Sequence, residues 1–283
     1  MTAYTDKLRE TARRLLSEGT VEGFLGFGKG SVAGVNPLVM ARRPEDVDQL
    51  VWDAQCGMNL ANFVRGHKGK IGLPVVGCWS RNIVTLIQEH QVAREKLYLV
   101  GIPCEGMADR DNPDKPQDNC ATCTHHNPVI HDEMLGQPVA EKAGVAEYAD
   151  VAAIEALSDD ARWQRFTESF SACIRCYACR NACPMCYCPT CFVDESKPQW
   201  VGKSIDPTDT MTFHFLRAFH LAGRCTDCGA CERACPVNIP VRYLTKKLNK
   251  DARELFGFES GLDPEVRPLL DQYRIDDVND FIK

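Results

Sequence analysis

The sequence lacks a long apolar run, and its N-terminus lacks the apolar stretch that a secretory signal peptide requires. The chain begins MTAYTDKLRETARR, with charged residues throughout. It also lacks an excess of positive charge, since 33 Lys and Arg stand against 39 Asp and Glu, a formal net charge of -6. Phosphate binding requires a basic face, so this balance disfavours a nucleic-acid partner. We therefore expect a cytoplasmic protein with no membrane span and no nucleic-acid partner.

Cysteine, in contrast, is abundant: the 283 residues include 16 cysteines, most of them in C-x2-C groups. Disulfide scaffolds are usually short, secreted chains. This chain is long and its N-terminus does not resemble a secretory signal, so the pattern favours metal ligation. Centres built from many thiolates are sensitive to oxygen, and we expect a host with anaerobic metabolism.

Two cysteine runs share the spacing C-x2-C-x2-C-x3-C-P, which is the bacterial ferredoxin signature. Two copies predict two 4Fe–4S clusters. In such pairs the fourth cysteine of each run ligates the other cluster. The predicted ligands of the first cluster are Cys173, Cys176, Cys179 and Cys235. Those of the second cluster are Cys183, Cys225, Cys228 and Cys231.

The chemistry of these runs predicts electron transfer, because soft thiolate ligands suit clusters that carry single electrons. Four arginines flank the predicted ligands: Arg175, Arg180, Arg224 and Arg233. Positive charge near a cluster stabilises its reduced form and raises its potential. The alternative is that these arginines are solvated or contact a partner.

Two further cysteines follow predicted strands in the N-terminal half. KIGLPVVGC (70–78) and KLYLVGIPC (96–104) are apolar β runs separated by a helical segment, a βαβ pattern with parallel strands. Cys78 and Cys104 therefore lie past the C-terminal strand ends, where open α/β sheets bind ligands. The polar loop 105–137 adds a C-A-T-C pair. We predict a third 4Fe–4S cluster on Cys78, Cys104, Cys120 and Cys123.

Zinc is the alternative for this third site, because His125, His126 and His131 lie close by in the sequence. Four cysteines are then left unassigned. They predict a fourth cluster, for which a zinc site or plain thiols are the alternatives. Its candidate ligands are Cys56, Cys186, Cys188 and Cys191.

The predicted fold class is an α/β N-terminal domain with a short, partly parallel sheet, followed by a mainly α-helical dicluster ferredoxin-like domain. The predicted boundaries are an α/β domain at 1–140, a linker at 141–157, a dicluster domain at 158–257 and a C-terminal tail at 258–283. Local signals predict helices at 2–18, at 45–55 after Pro44, and from an N-cap at Ser80. Further helices are expected at 158–171, at 208–222 and after Pro240.

The stretch VVGCWSRNIVTLIQEHQVAREKLYLVGIPCEGM (75–107), followed by C-A-T-C, resembles the beta-subunit family of coenzyme F-420 hydrogenases and formate dehydrogenases, which reduce a deazaflavin. The CIRCYACRNACPMCYC signature resembles the variant with a C-terminal dicluster module of the heterodisulfide-reductase-associated kind. Many family members have Asp after the first cysteine, where this chain has Trp79. Relatives carry FAD, but no flavin motif maps onto this sequence residue by residue.

The resemblance implies an iron–sulfur subunit of an oxidoreductase complex that relays single electrons through several clusters. Its implied partners are a flavoprotein, a hydrogenase or dehydrogenase catalytic subunit, a heterodisulfide-reductase-like subunit, or ferredoxin. One alternative is a flavin-containing subunit that itself exchanges hydride with a deazaflavin or nicotinamide. A second is an iron–sulfur redox sensor. The sequence assigns no catalytic residue.

Overall fold

The computed structural model describes residues 4–32, 34–142, 144–271 and 275–276. Two compact units divide the chain. The first comprises Met1–Val145 and Gly261–Val266, and the second comprises Ala146–Ser260 and Arg267–Lys283. Parts of three predicted segments lie outside the described residues: residues 2–3 of the first helix, residue 143 of the linker, and 272–274 and 277–283 of the tail.

The first unit is organised around one mixed six-stranded sheet. Its strands are β1 (Gly23–Gly28), β2 (Leu38–Ala41), β3 (Leu50–Val51), β4 (Ile71–Val75), β5 (Leu97–Gly101) and β6 (Glu133–Met134). The strand order is β2-β1-β4-β5-β6, and β3 also pairs with β1. Strands β1, β4, β5 and β6 run parallel to their neighbours in that order, whereas β2 and β3 are antiparallel to β1. The α/β class with a partly parallel sheet is therefore confirmed.

Three α-helices accompany this sheet: α1 (Tyr4–Ser17), α2 (Gly77–Gln88) and α3 (Asp118–Ala121). Two 3-10 helices, Leu60–Phe63 and Arg94–Lys96, connect other elements. Helix α1 buries Leu8, Ala12 and Leu15, as its sequence spacing predicts. Strand β4 precedes α2 in the chain and β5 follows it, and the two strands pair in parallel. Together they form the predicted βαβ unit. Within the described residues, no helix is long and apolar enough to cross a bilayer.

Two local predictions in this unit are wrong. The helix expected at 45–55 is a short 3-10 helix, Pro44–Gln49, followed by strand β3. Leu50 is fully buried and pairs with β1, so tertiary pairing overrides the local helix signal. Helix α2 starts after Val76 rather than at Ser80, because only one residue separates it from β4. The Ser80 hydroxyl instead donates to the Gly77 carbonyl at 2.8 Å.

Trp79 belongs to the core of the first unit. It is 2% exposed and its ring centroid lies 6.0 Å from Phe27 and 5.8 Å from Trp52. Aromatic pairs at such distances contribute about 0.5–1.5 kcal/mol beyond burial of their area. Trp79 therefore packs in the apolar core at the start of α2.

The elements described in the second unit are helices. The α-helices are α4 (Ala149–Glu155), α5 (Asp159–Ser171), α6 (Ala178–Asn181), α7 (Pro207–Phe219), α8 (Ala230–Arg233) and α9 (Arg242–Phe256). The 3-10 helices are Phe192–Asp194 and Leu269–Asp271. Ser158 caps α5 through the amide of Ala161, as predicted. Helix α7 packs against α5 and α9, and α4, within the predicted linker, also packs against α9.

A buried charge cluster joins the start of α9 to the second cysteine run. The Arg242 guanidinium donates to both oxygens of Asp227 at 2.9 and 2.8 Å, and to Glu232 at 3.1 Å. The Arg242 side chain is only 7% exposed. Removing one member of such a cluster leaves the others buried and uncompensated.

We therefore expect Arg242→Met to lower the free energy of unfolding by about 3–5 kcal/mol. The measurement is anaerobic thermal unfolding followed by circular dichroism. Arg267→Met is the matched control, because the Arg267–Asp271 pair is 67% and 60% exposed and such pairs contribute about 0–1 kcal/mol. Equal effects of the two substitutions would contradict the prediction.

Candidate iron–sulfur sites

The two cysteine runs of the second unit have the same backbone geometry. The second residue after the first cysteine has a positive φ in each, 52° at Arg175 and 55° at Asp227. Its amide donates a hydrogen bond to the preceding thiol, at 3.4 Å to Cys173 and at 3.4 Å to Cys225. Hydrogen bonds from amides to sulfur are among the contacts by which proteins tune iron–sulfur clusters.

Each run then continues in the same way. Tyr177 and Gly229 have φ values of 60° and 72°, and the four-residue helices α6 and α8 follow them. The two short helices pack against each other. The sequence repeat is therefore also a structural repeat.

The fourth cysteine of each run lies with the other run. Burial raises the pKa of the Cys173 and Cys179 thiols, and the nearby Cys235 thiol adds to the increase in both. Burial likewise raises the pKa of Cys225 and Cys231, and the Cys183 thiol adds to both. In each predicted set, therefore, the cysteine that comes from one run lies near cysteines that come from the other run.

The donor chemistry of these sets fits an iron–sulfur cluster. Buried thiols with raised pKa values are neutral at pH 7 on their own, so they become thiolates only when cationic metal compensates the charge. Among the described residues, no group of three or more His, Cys, Asp and Glu side chains is arranged to hold a metal ion. A cubane cluster distributes its thiolates over four irons, which is a different arrangement from a mononuclear site.

In the first unit, three predicted ligands come together near the C-terminal end of β5. Burial raises the pKa of the Cys104 thiol to about 12, and the neighbouring thiols of Cys120 and Cys123 add to this increase. Each of the three sulfurs accepts a backbone hydrogen bond at 3.4 Å. The donors are the amides of Gly106, Met107 and His125, respectively.

Cys78, the fourth predicted ligand, lies in the first turn of α2, directly after β4. The loop that follows Cys123 lies against this turn. A Cβ atom at Gly77 would be 2.0 Å from the His125 carbonyl oxygen, so only glycine permits the approach. The same loop bonds the β5 end, because the Cys104 amide donates to the His126 carbonyl at 2.9 Å. The loop after Cys123 therefore contacts both the start of α2 and the end of β5.

The histidines of the zinc alternative have other contacts in this loop. His125 Nδ1 is 3.2 Å from Arg81 Nη1 and 3.0 Å from the Thr124 hydroxyl. His126 is 3% exposed, and its Nδ1 lies 2.7 Å from the Cys104 carbonyl oxygen. His131 lies beside strand β5 at Gly101.

The first comparison with known proteins concerns the second unit. Residues 169–239 match the family model described as a 4Fe-4S dicluster domain. We refer to this segment as the dicluster domain. This match spans both cysteine runs.

The chain is also similar to two curated relatives. It is 32% identical over 108 residues to the F420-dependent formate dehydrogenase subunit beta of Methanocaldococcus jannaschii. It is 34% identical over 107 residues to the F420-dependent formate dehydrogenase 1 subunit beta of Methanococcus maripaludis. Each match covers 38% of this chain and 27% of the relative, so the chain spans about a quarter of the length of the curated relatives it matches. The predicted resemblance to the beta-subunit family is confirmed.

The chain can also be compared with a solved structure. A chain from the xenon-derivatised F420-reducing NiFe hydrogenase complex of Methanosarcina barkeri matches 59% of this chain and 85% of its own length. The sequence identity is 15% and the TM-score is 0.34.

The extra cysteines of the dicluster domain lie together. Cys186, Cys188 and Cys191 line one cavity of about 40 Å³ in the second unit. Cys186 also shares a hydrogen bond with Cys183. Cys56 belongs to the first unit, where its fully buried thiol lies 3.4 Å from the Asn36 amide nitrogen. The fourth cluster stays a prediction.

Sequence reasoning missed two residues of the dicluster domain, His214 and Arg217 on α7. His214 Nε2 lies 3.2 Å from the Cys173 sulfur, and burial lowers the His214 pKa to about 3. Arg217 Nη2 donates to the Cys179 carbonyl at 3.1 Å. Both are buried on the face that includes Phe213. Their spacing from Phe213, one and four residues, is the signal that could have found them.

Proposed function

We propose that this chain is an iron–sulfur electron-transfer subunit of a redox complex of the formate dehydrogenase or hydrogenase type. The observation that carries the proposal is that the last cysteine of each run lies near the thiols of the other run. Cys235 lies near Cys173 of the first run, and Cys183 lies near Cys225 of the second. This arrangement is what two adjacent 4Fe–4S clusters require of their ligands. When bound, each cluster accepts and donates one electron.

The protein's own part in this function is to hold and shield the sulfurs. The helical core of the second unit excludes water from Cys179 and Cys235, which are 8% and 6% exposed. The amides of Arg175 and Asp227 donate to sulfur and favour the thiolate form. Both features support two redox centres enclosed by one small domain.

The site on Cys78, Cys104, Cys120 and Cys123 is proposed as a third 4Fe–4S cluster. It is supported by three sulfurs that each accept an amide hydrogen bond, the same contact found in the dicluster domain. A fourth site on Cys56, Cys186, Cys188 and Cys191 is supported only by the cavity that the last three line. We further propose a cytoplasmic location and partners drawn from the other subunits of such a complex.

Iron content tests the proposal. Anaerobically purified protein should contain about 12 iron atoms per chain for three clusters, about 8 if only the dicluster domain is loaded and about 16 if all four sites are loaded. Mössbauer spectroscopy should assign this iron to 4Fe–4S clusters, and reduction should produce their EPR signals. Protein that contains stoichiometric zinc and no iron would overturn the proposal.

A further inference from the structure

The charge of Arg217 is buried without a carboxylate partner. Arg217 lies on α7 and is 6% exposed. Its Nη2 donates to a backbone carbonyl, that of Cys179, and its Nε has no hydrogen-bond partner. In the part of the chain that the structure describes, no acidic side chain forms an ion pair with it. A buried charge is costly unless an opposite charge compensates it, so another group must supply the negative charge.

Thiols from both cysteine runs lie near this guanidinium, and Arg217 lines the same cavity as Cys186, Cys188 and Cys191. Those close enough to act on its charge are Cys231, Cys183, Cys179 and Cys186. Cys179 is a proposed ligand of the first cluster, whereas Cys183 and Cys231 are proposed ligands of the second. Arg217 therefore lies where the ligand shells of the two clusters meet.

Arg175 is also buried in the dicluster domain, but its surroundings differ. It is 7% exposed, and its Nη1 donates to the carbonyls of Gly202 and Ser204. The thiol on which its charge acts is that of Cys173, a proposed ligand of the first cluster. Arg175 thus lies beside a single ligand set, whereas Arg217 lies between both.

We propose that Arg217 is a shared counter-charge of the two clusters, a positioning residue that stabilises the reduced form of both. The inference rests on the proposed function, because it requires that both clusters are present. Reduction adds one negative charge to a cluster, and a fixed positive charge in a poorly solvated interior favours that change. Arginine keeps its proton at any physiological pH, so the contribution is constant. Because the charge lies between the two sets, its removal must affect both.

The test compares Arg217→Met with Arg175→Met in the full chain, by EPR-monitored redox titration of anaerobically purified protein. We expect Arg217→Met to make both potentials more negative. At a fixed solution potential the ratio of reduced to oxidised cluster should fall about tenfold in each, which is 59 mV for a one-electron couple. Arg175→Met should shift the first cluster alone. The Cys183→Ser and Cys235→Ser variants assign the two signals.

Iron content separates failure of this inference from failure of the proposed function. If Arg217→Met retains the iron of the wild type and either potential is unchanged, the inference is overturned while the function stands. If the wild type itself binds no clusters, the function fails. Should the methionine variant not assemble its clusters, Arg217→Gln decides, because it removes the charge but keeps a hydrogen-bond donor for the Cys179 carbonyl. Both potentials must then become more negative, and unchanged values or a shift in one cluster alone overturn the inference.

Discussion

Replacing Cys183 with serine should remove the cluster held by Cys225, Cys228 and Cys231 and leave the cluster of its own run in place. Cys183 belongs to the first run in sequence, but its thiol lies beside Cys225 and Cys231. The iron content should fall by about four atoms per chain. EPR spectra of the reduced protein would show which of the two signals is lost.

Cys235→Ser is the reciprocal variant and should remove the other signal, because Cys235 lies beside Cys173 and Cys179. Each ligand variant would contradict the assignment if it removed the signal of its own run. The two variants together therefore distinguish exchanged ligands from two independent runs.

Removal of iron should unfold the dicluster domain while the sheet of the first unit persists. The core of the second unit contains Cys179 and Cys235 beside Phe170 and Phe213, so two proposed ligands are themselves core residues. Without metal these sulfurs lose the bonds that tie the two runs together, and a domain of this size has little other core. The metal-binding free energy is then part of the folding free energy.

Hydrogen exchange measured by mass spectrometry tests this prediction before and after anaerobic chelation. Amides of α5 and α7 should exchange at least about a hundredfold faster in the iron-free protein, which corresponds to about 2.7 kcal/mol of lost protection. Amides of β4 and β5 serve as the internal control and should keep most of their protection. Unchanged exchange in α5 and α7 would show that the helices fold without metal.

The βαβ unit could be predicted from sequence because each of its signals is local. The apolar runs at 70–78 and 96–104 become β4 and β5, and the positions of Cys78 and Cys104 follow from the chain order alone. The ferredoxin spacing is informative in the same way, since short intervals between cysteines restrict the loop geometry. These parts of the fold required no knowledge of distant contacts.

Elements that depend on distant contacts could not be predicted. The segment after Pro44 carries a helix-start signal, yet Leu50 pairs with Gly28 in the sheet. The buried face of α7 was also missed, because a search for apolar periodicity selects Phe215 and Phe219. Those two rings are 51% and 50% exposed, whereas His214 and Arg217 face the interior. His214 and Arg217 are buried near cysteine thiols. A search for apolar periodicity does not detect a buried face that contains polar residues.

Helix α7 buries the Arg217 guanidinium on the same face as Phe213, while Phe215 and Phe219 are half exposed. Hydrophobic burial accounts for the position of Phe213 in the core, but it does not offset the cost of burying the charge of Arg217. The cost of burying the Arg217 charge is offset only when negative charge is present near its guanidinium. We therefore expect helix α7 to reach its final packing only once the clusters supply that negative charge.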